Sequence, residues 1–177
     1  MADTDRNDPD FVDILTDLGR QANRYDFFAA LRAVECHFRD KPRLGQSVNP
    51  AEDGIRLGQE PSNLFAPSAL HSCQPQADGY WHLQVLFFGL FGPQGPLPQH
   101  LTEYVRERRR NEVRDEATLA FMNLFHHRLL SLLYRAWANK EPTVQRDRVE
   151  NDDFDRYTGA LLGIGIPELQ HRDAMRV

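Results

Sequence analysis

Two cysteines and two histidines form close pairs whose side chains could bind a metal ion. They are Cys36, His37, His71 and Cys73, and thiolate and imidazole are ligands that zinc prefers. The pairs lack the spacing of a zinc knuckle, in which about two to four residues separate the ligands. With only these two cysteines and no visible secretory signal, the sequence favours free thiols in a reducing cytoplasm, and a Cys36–Cys73 disulfide stays possible by count.

Other histidines could serve acid–base chemistry. His100 and Glu103 are three residues apart at the start of a predicted helix, which brings an acid and a base close together. Glu103 in a first turn also simply suits the helix dipole, and we favour that interpretation. His126 and His127 are adjacent, so on a helix their side chains diverge by about 100 degrees. A small cytoplasmic hydrolase or metal-binding domain that uses His100/Glu103 or the Cys/His set is the alternative function.

The composition is that of an ordinary globular domain. The chain has 177 residues, 41% hydrophobic and 27% charged, with a formal net charge of -5. The acidic balance argues against nucleic acid or an anionic membrane as a partner. Its only basic run, residues 106–110, is interleaved with glutamates and indicates a solvated helix face. No apolar run approaches the roughly 20 residues that span a bilayer, so we expect no membrane insertion. The sequence has no phosphate-binding loop and no nucleophile elbow, so we expect no cofactor and no small-molecule substrate.

The predicted fold class is α+β with helices dominant. Apolar spacing predicts helices at about 26–38, 98–111 and 115–139. Two or three short strands at about residues 55–90 should form a small antiparallel sheet, with residues 68–73 and 81–88 as a hairpin. So small a sheet must pack against helices. A polar link is predicted for residues 143–150.

The helix at about 115–139 has an unusual pattern. Its polar residues Asn123, His127, Ser131 and Arg135 fall four apart and form one narrow stripe. Most of its other side chains are apolar, the reverse of an ordinary surface helix. We therefore expect protein on all sides of it, either as a core helix or as a helix shared with a partner.

Several stretches together resemble one family. They are YDFF at residues 25–28, PRLG at 42–45, PAEDGIRLGQEPS at 50–62, LFAPS at 64–68, GLFGPQGPLP at 89–98, HLTEY at 100–104 and FHHRLLSLLYRAW at 125–137. This combination resembles TssG, also called ImpH or VasB, a baseplate subunit of type VI secretion. The resemblance implies a non-enzymatic, cytoplasmic component of the baseplate wedge in a contractile, phage-tail-like machine that delivers effectors.

The resemblance also implies partners and domain limits. TssG-like proteins associate with TssF, TssK and TssE. Members are normally longer, so the chain looks like the N-terminal portion: a tail and short helix at 1–24, the TssG-like domain at 25–165 and a tail at 166–177, with the C-terminal half absent. The chain has more large apolar side chains than a domain of this size is expected to bury, which predicts contact with a partner. The predicted partner-binding residues are Phe91, Pro93, Pro96, Phe121, Phe125, Leu132, Tyr134 and Trp137.

Overall fold

The computed structural model describes residues 9–77, 79–111, 115–148 and 153–163. They fall into two compact units, one within Met1–Arg135 and one within Ala136–Val177. The helices are α1 (Pro9–Gln21), α2 (Phe27–His37), α3 (Gln99–Arg110), α4 (Ala117–Ala138), α5 (Pro142–Arg146) and α6 (Asp153–Leu161), and the strands are β1 (Ile55–Gln59), β2 (Leu70–Pro75) and β3 (Trp81–Val85). The strands cluster between helices, which confirms the α+β class.

The three strands form a mixed sheet in the order β1-β3-β2. The predicted hairpin is present, because β2 and β3 are antiparallel. The prediction of a wholly antiparallel sheet is wrong, since β1 runs parallel to β3 with Ile55 opposite Trp81. Residues 60–69 join β1 to β2, and that length can cross two strand spacings, about 10 Å. The crossing leaves room for β3 between them.

The main core lies on one face of this sheet. Alternate residues of β1 and β3, such as Ile55, Leu83 and Val85, are fully buried, as the two-residue period of a strand requires. Helix α1 packs against β2 and α2. Asp26 caps the N-terminus of α2, because its carboxylate accepts hydrogen bonds from the backbone N–H groups of Phe28 and Ala29. A second cluster joins Phe91, Val105 and Leu119.

Helix α4 extends over 22 residues. It begins after Asp115, whose carboxylate accepts a hydrogen bond from the Ala117 N–H at 3.0 Å. One side of the helix is buried, yet Phe121 and Phe125 on another side are 56% and 50% exposed. The chain by itself therefore does not surround this helix.

In the second unit, α5 contacts α6. The polar link predicted at 143–150 is wrong in its first half, where α5 forms because Pro142 fits the first turn of a helix. Gln145 Oε1 accepts a hydrogen bond from the Phe154 N–H at 3.0 Å. The tail predicted for 166–177 lies outside the described residues.

Candidate protein-interaction surface

The four polar residues of α4 that lie four apart, hereafter the polar seam (Asn123, His127, Ser131 and Arg135), face β1 and the loop before it. The Leu57 N–H donates to His127 Nδ1 at 3.1 Å, and the Gln59 N–H donates to Asn123 Oδ1 at 3.3 Å. Strand β1 is an edge strand, so these N–H groups would otherwise lack partners in the sheet. The helix thereby closes the sheet edge with side chains.

The second nitrogen of His127 binds a buried carboxylate. His127 Nε2 lies 2.8 Å from Asp53 Oδ2, and Ser47 Oγ donates to Asp53 Oδ1 at 2.7 Å. Burial raises the pKa of Asp53, but the hydrogen bonds from His127 and Ser47 lower it more, so the net pKa is below the ordinary value. Because the Leu57 N–H occupies Nδ1, the proton of the neutral ring lies on Nε2.

The C-terminal end of the seam holds the loop at Gly45. Arg135 Nη1 donates to the Gly45 carbonyl at 2.9 Å, and Ser131 Oγ donates to the His127 carbonyl at 2.7 Å. Gly45 has a φ of +79°, and a Cβ there would lie 2.8 Å from the Ser131 carbonyl oxygen. The helix and the loop backbone therefore approach closer than any side chain at residue 45 allows.

Replacing Gly45 with alanine is expected to destabilise the protein by about 2–4 kcal/mol, because a strained φ adds to a clash with backbone. Gly79→Ala is the matched control. Gly79 has a φ of +81° with nothing within 4 Å of the added Cβ, so only the strain of about 1 kcal/mol remains. Urea unfolding measures both. Equal losses would show that the close approach at Gly45 is not tight.

His126 holds a different segment from His127. Its Nε2 accepts a hydrogen bond from the Leu90 N–H at 3.0 Å, and its Nδ1 lies 3.0 Å from Asn123 Oδ1. The ring is 0% exposed, and burial lowers the pKa of His126 to about 4. The adjacent histidines thus hold two segments, β1 and the loop after β3, and their nitrogens are occupied.

This loop, residues 89–98, is fixed by its backbone. The Gln59 side chain pairs with Phe91 in both directions: Nε2 donates to the Phe91 carbonyl and Oε1 accepts from the Phe91 N–H, both at 2.9 Å. The Gly92 N–H donates to Thr102 Oγ1 at 3.0 Å. Together with the Leu90–His126 hydrogen bond, these contacts fix the backbone of the loop against β1, α3 and α4. The sequence pattern does not predict this role of Gln59, because its hydrogen-bond partner Phe91 is 32 residues away.

The burial of neutral His126 predicts a loss of stability in mild acid. An unfolded histidine has a pKa of about 6.5, and the folded pKa is about 4. Between these values the unfolded state binds the proton and the native state does not, so stability falls as the pH falls, by about 2 kcal/mol between pH 7 and pH 5. His126→Gln should flatten this dependence in urea unfolding, and exposed His100→Gln should not. If the free energy of unfolding depends on pH equally in His126→Gln and the wild type, His126 is not the cause of the acid sensitivity.

The opposite side of α4 is apolar and exposed. We call Phe121, Phe125, Leu129 and Leu132 the outer stripe; they are 56%, 50%, 40% and 41% exposed. Their spacings of four, four and three residues place them on one face. The Phe121 and Phe125 rings pack edge to face with centroids 5.4 Å apart. A continuous exposed apolar helix face is typical of a helix that docks in a partner groove.

The structure divides the predicted partner-binding set. Phe121, Phe125 and Leu132 lie on the outer stripe, and Pro93 and Pro96 are exposed on the loop. Phe91 and Tyr134 are 2% and 1% exposed, so they are core residues and are not available to a partner.

Tyr134 lies on the buried side of α4, seven residues after His127, and its hydroxyl takes part in an internal network. Its hydroxyl donates to Glu35 Oε2 at 3.0 Å, while Glu35 Oε1 accepts from the Leu44 N–H at 3.0 Å. Trp137 is half-buried in the second unit. Leu129 was missed, although its position four residues after Phe125 is the signal that could have identified it.

The residues considered for chemistry are not assembled into a site. His100 and Glu103 are exposed, and Glu103 accepts a hydrogen bond from Asn63 Nδ2 at 3.3 Å. Cys36 and Cys73 do not form a disulfide, and burial raises the pKa of Cys73 to about 12. Within the described ranges, no three His, Cys, Asp or Glu residues are placed to hold a metal ion.

An exposed apolar face on a well-anchored helix is typical of proteins that bind other proteins. The chain matches the family described as Type VI secretion, TssG, over residues 21–177, and it belongs to that family. Members are structural baseplate components with protein partners in the assembly, a family not known as enzymes. Neither a curated protein nor a solved structure matches the chain. No helix in the described part has the length and apolarity to cross a membrane.

Proposed function

We propose that this chain is a non-enzymatic scaffold of the type VI secretion baseplate wedge, and that the outer stripe of α4 binds TssF. One observation carries the proposal: α4 has an exposed apolar face on a different side from the face that is held by a network of buried hydrogen bonds. Family membership supplies the baseplate context.

The polar seam explains why this helix suits a scaffold. Binding costs free energy when side chains and backbone must be ordered at the interface. Here His127, Asn123 and Arg135 already fix the helix against β1 and its preceding loop. The outer stripe is therefore presented in one orientation, and its two phenylalanines can act as anchors in a partner groove.

The proposal includes further contacts in the baseplate. The proposal puts the chain on the cytoplasmic side of the membrane, where type VI baseplates assemble, with TssK and TssE as additional neighbours. The exposed Pro93 and Pro96 suit such a contact, because the loop that carries them is already rigid. The proposal divides the chain into a tail and short helix at 1–24, a TssG-like domain at 25–165 and a tail at 166–177.

Catalysis receives no support from the geometry. His126 and His127 use their ring nitrogens to bind backbone and side-chain groups. Stoichiometric zinc in the purified protein would revive the metal-binding alternative with Cys36, His37, His71 and Cys73.

Co-expression with TssF tests the proposal. The tagged chain and untagged TssF of the same secretion system are purified by affinity and then by size exclusion. We expect a complex that elutes as one species, because the outer stripe should be covered. If both proteins are soluble and folded yet elute separately, the proposed function is wrong.

A further inference from the structure

A second surface lies between α3 and the loop at residues 64–67. It is a groove of about 530 Å³, lined in part by Leu64, Phe65, Leu86, Arg106 and Arg110. Leu64 and Phe65 are 76% and 82% exposed. The groove therefore has an apolar wall that projects into solvent, separate from the outer stripe.

The opposite wall of the groove is basic. Arg109 is neutralised, since its guanidinium lies 2.7 Å from Glu60 and 3.4 Å from Glu116. For Arg106 and Arg110, no carboxylate of the described residues lies within ion-pairing distance. Two guanidiniums that pair with no carboxylate of the described residues thus lie beside an exposed leucine and phenylalanine, on a chain whose net charge is -5.

We propose that this groove binds an acidic segment of a protein partner that carries an aromatic or aliphatic side chain. Carboxylates of the segment would pair with Arg106 and Arg110, because a guanidinium can hold a carboxylate through two parallel hydrogen bonds. The apolar side chain would pack between Phe65 and Leu86. This combination of charge and apolar contact gives the groove its selectivity.

Nucleic acid fits the groove less well. A polyphosphate backbone needs an extended basic track, but α3 also carries the exposed Glu103 and Glu107, and the whole chain is acidic. Arg106 and Arg110 line the groove but Glu103 and Glu107 do not, so a short segment with a few carboxylates can meet both arginines inside it. The charge pattern therefore favours an acidic peptide.

Selection of random linear peptides displayed on phage tests the proposal without assuming a partner. The full chain is immobilised, and peptides that also bind the Arg106→Glu/Arg110→Glu variant are removed. We expect the enriched peptides to combine Asp or Glu with Leu, Phe or Trp. No enrichment, or enrichment of sequences without acidic residues, would overturn the proposal.

The affinity of an enriched, labelled peptide gives the second measurement. Arg106→Glu/Arg110→Glu and Phe65→Ser should each weaken binding at least about tenfold, as lost ion pairs plus repulsion, or a lost apolar contact, predict. Arg20→Glu/Arg39→Glu is the control, because it makes the same charge change at exposed residues elsewhere. Equal weakening by the control would overturn the proposal. So would binding of duplex DNA by the wild type if the Arg106→Glu/Arg110→Glu variant no longer binds it.

The two surfaces can be tested separately. A variant with Phe121→Asp and Phe125→Asp on the outer stripe should still bind the peptide with its full affinity. Loss of peptide binding in that variant would show that the groove is not an independent site. A failed peptide selection leaves the TssF co-purification result unaffected.

Discussion

Replacing His127 with leucine is expected to lower the free energy of unfolding by about 3–5 kcal/mol, because it leaves a buried carboxylate without its partner. Asp53 is 2% exposed and lies 2.8 Å from the imidazole. The Leu57 N–H would also lose its acceptor, and a buried unpaired donor costs about 1–3 kcal/mol by itself. Urea unfolding monitored by circular dichroism measures the loss.

A double-mutant cycle separates the pair from simple packing. Asp53→Leu with His127→Leu removes both polar groups, so the double variant should be more stable than the sum of the single losses predicts. Exposed His100→Leu is the control and should change stability by less than about 0.5 kcal/mol. A loss in His127→Leu no larger than in the control would refute the structural role of the seam.

The second large effect is on assembly. Phe121→Asp with Phe125→Asp is expected to weaken TssF binding by at least about 100-fold, because buried aromatic anchors carry about 2 kcal/mol or more each and two carboxylates would enter an apolar contact. Isothermal titration calorimetry with purified TssF measures the affinity. Unfolding should change by less than about 1 kcal/mol, since both side chains are at least half exposed.

A matched control places two carboxylates elsewhere. Gln74 lies in β2, and Asn23 lies in a short turn that packs against β2, which is the sheet edge opposite β1. Both side chains are exposed, so Asn23→Asp with Gln74→Asp adds two carboxylates away from the outer stripe. We expect this variant to bind TssF as the wild type does. If both variants bind equally well, the contact with TssF uses a different surface.

The polar seam could be predicted from sequence because it depends on helix geometry alone. Residues four apart on one helix share a face, and Asn123, His127 and Arg135 contact β1 and the loop before it, as that rule requires. Their partners could not be predicted. Asp53 is 74 residues from His127, and no local pattern connects the two.

Contacts between distant parts of the chain could not be predicted from local sequence patterns. Strand spacing predicts the hairpin of β2 and β3, but the parallel partner β1 depends on how residues 60–69 cross the sheet. Likewise, Tyr134 and Phe121 are both aromatic residues of α4, yet one is 1% and the other 56% exposed. Tyr134 lies seven residues after His127 and shares its buried side of α4, but its hydrogen bond to Glu35 of another helix could not be predicted.

Site-resolved cysteine labelling shows whether TssF covers the outer stripe. A Phe125→Cys variant and an Asn23→Cys control at the opposite sheet edge are alkylated with and without TssF, and mass spectrometry reads each site separately from native Cys36 and Cys73. We predict that TssF slows labelling at residue 125 at least about tenfold and leaves residue 23 unchanged, because a docked partner covers only the outer stripe. Equal labelling at residue 125 with and without bound TssF would show that TssF does not dock on the outer stripe.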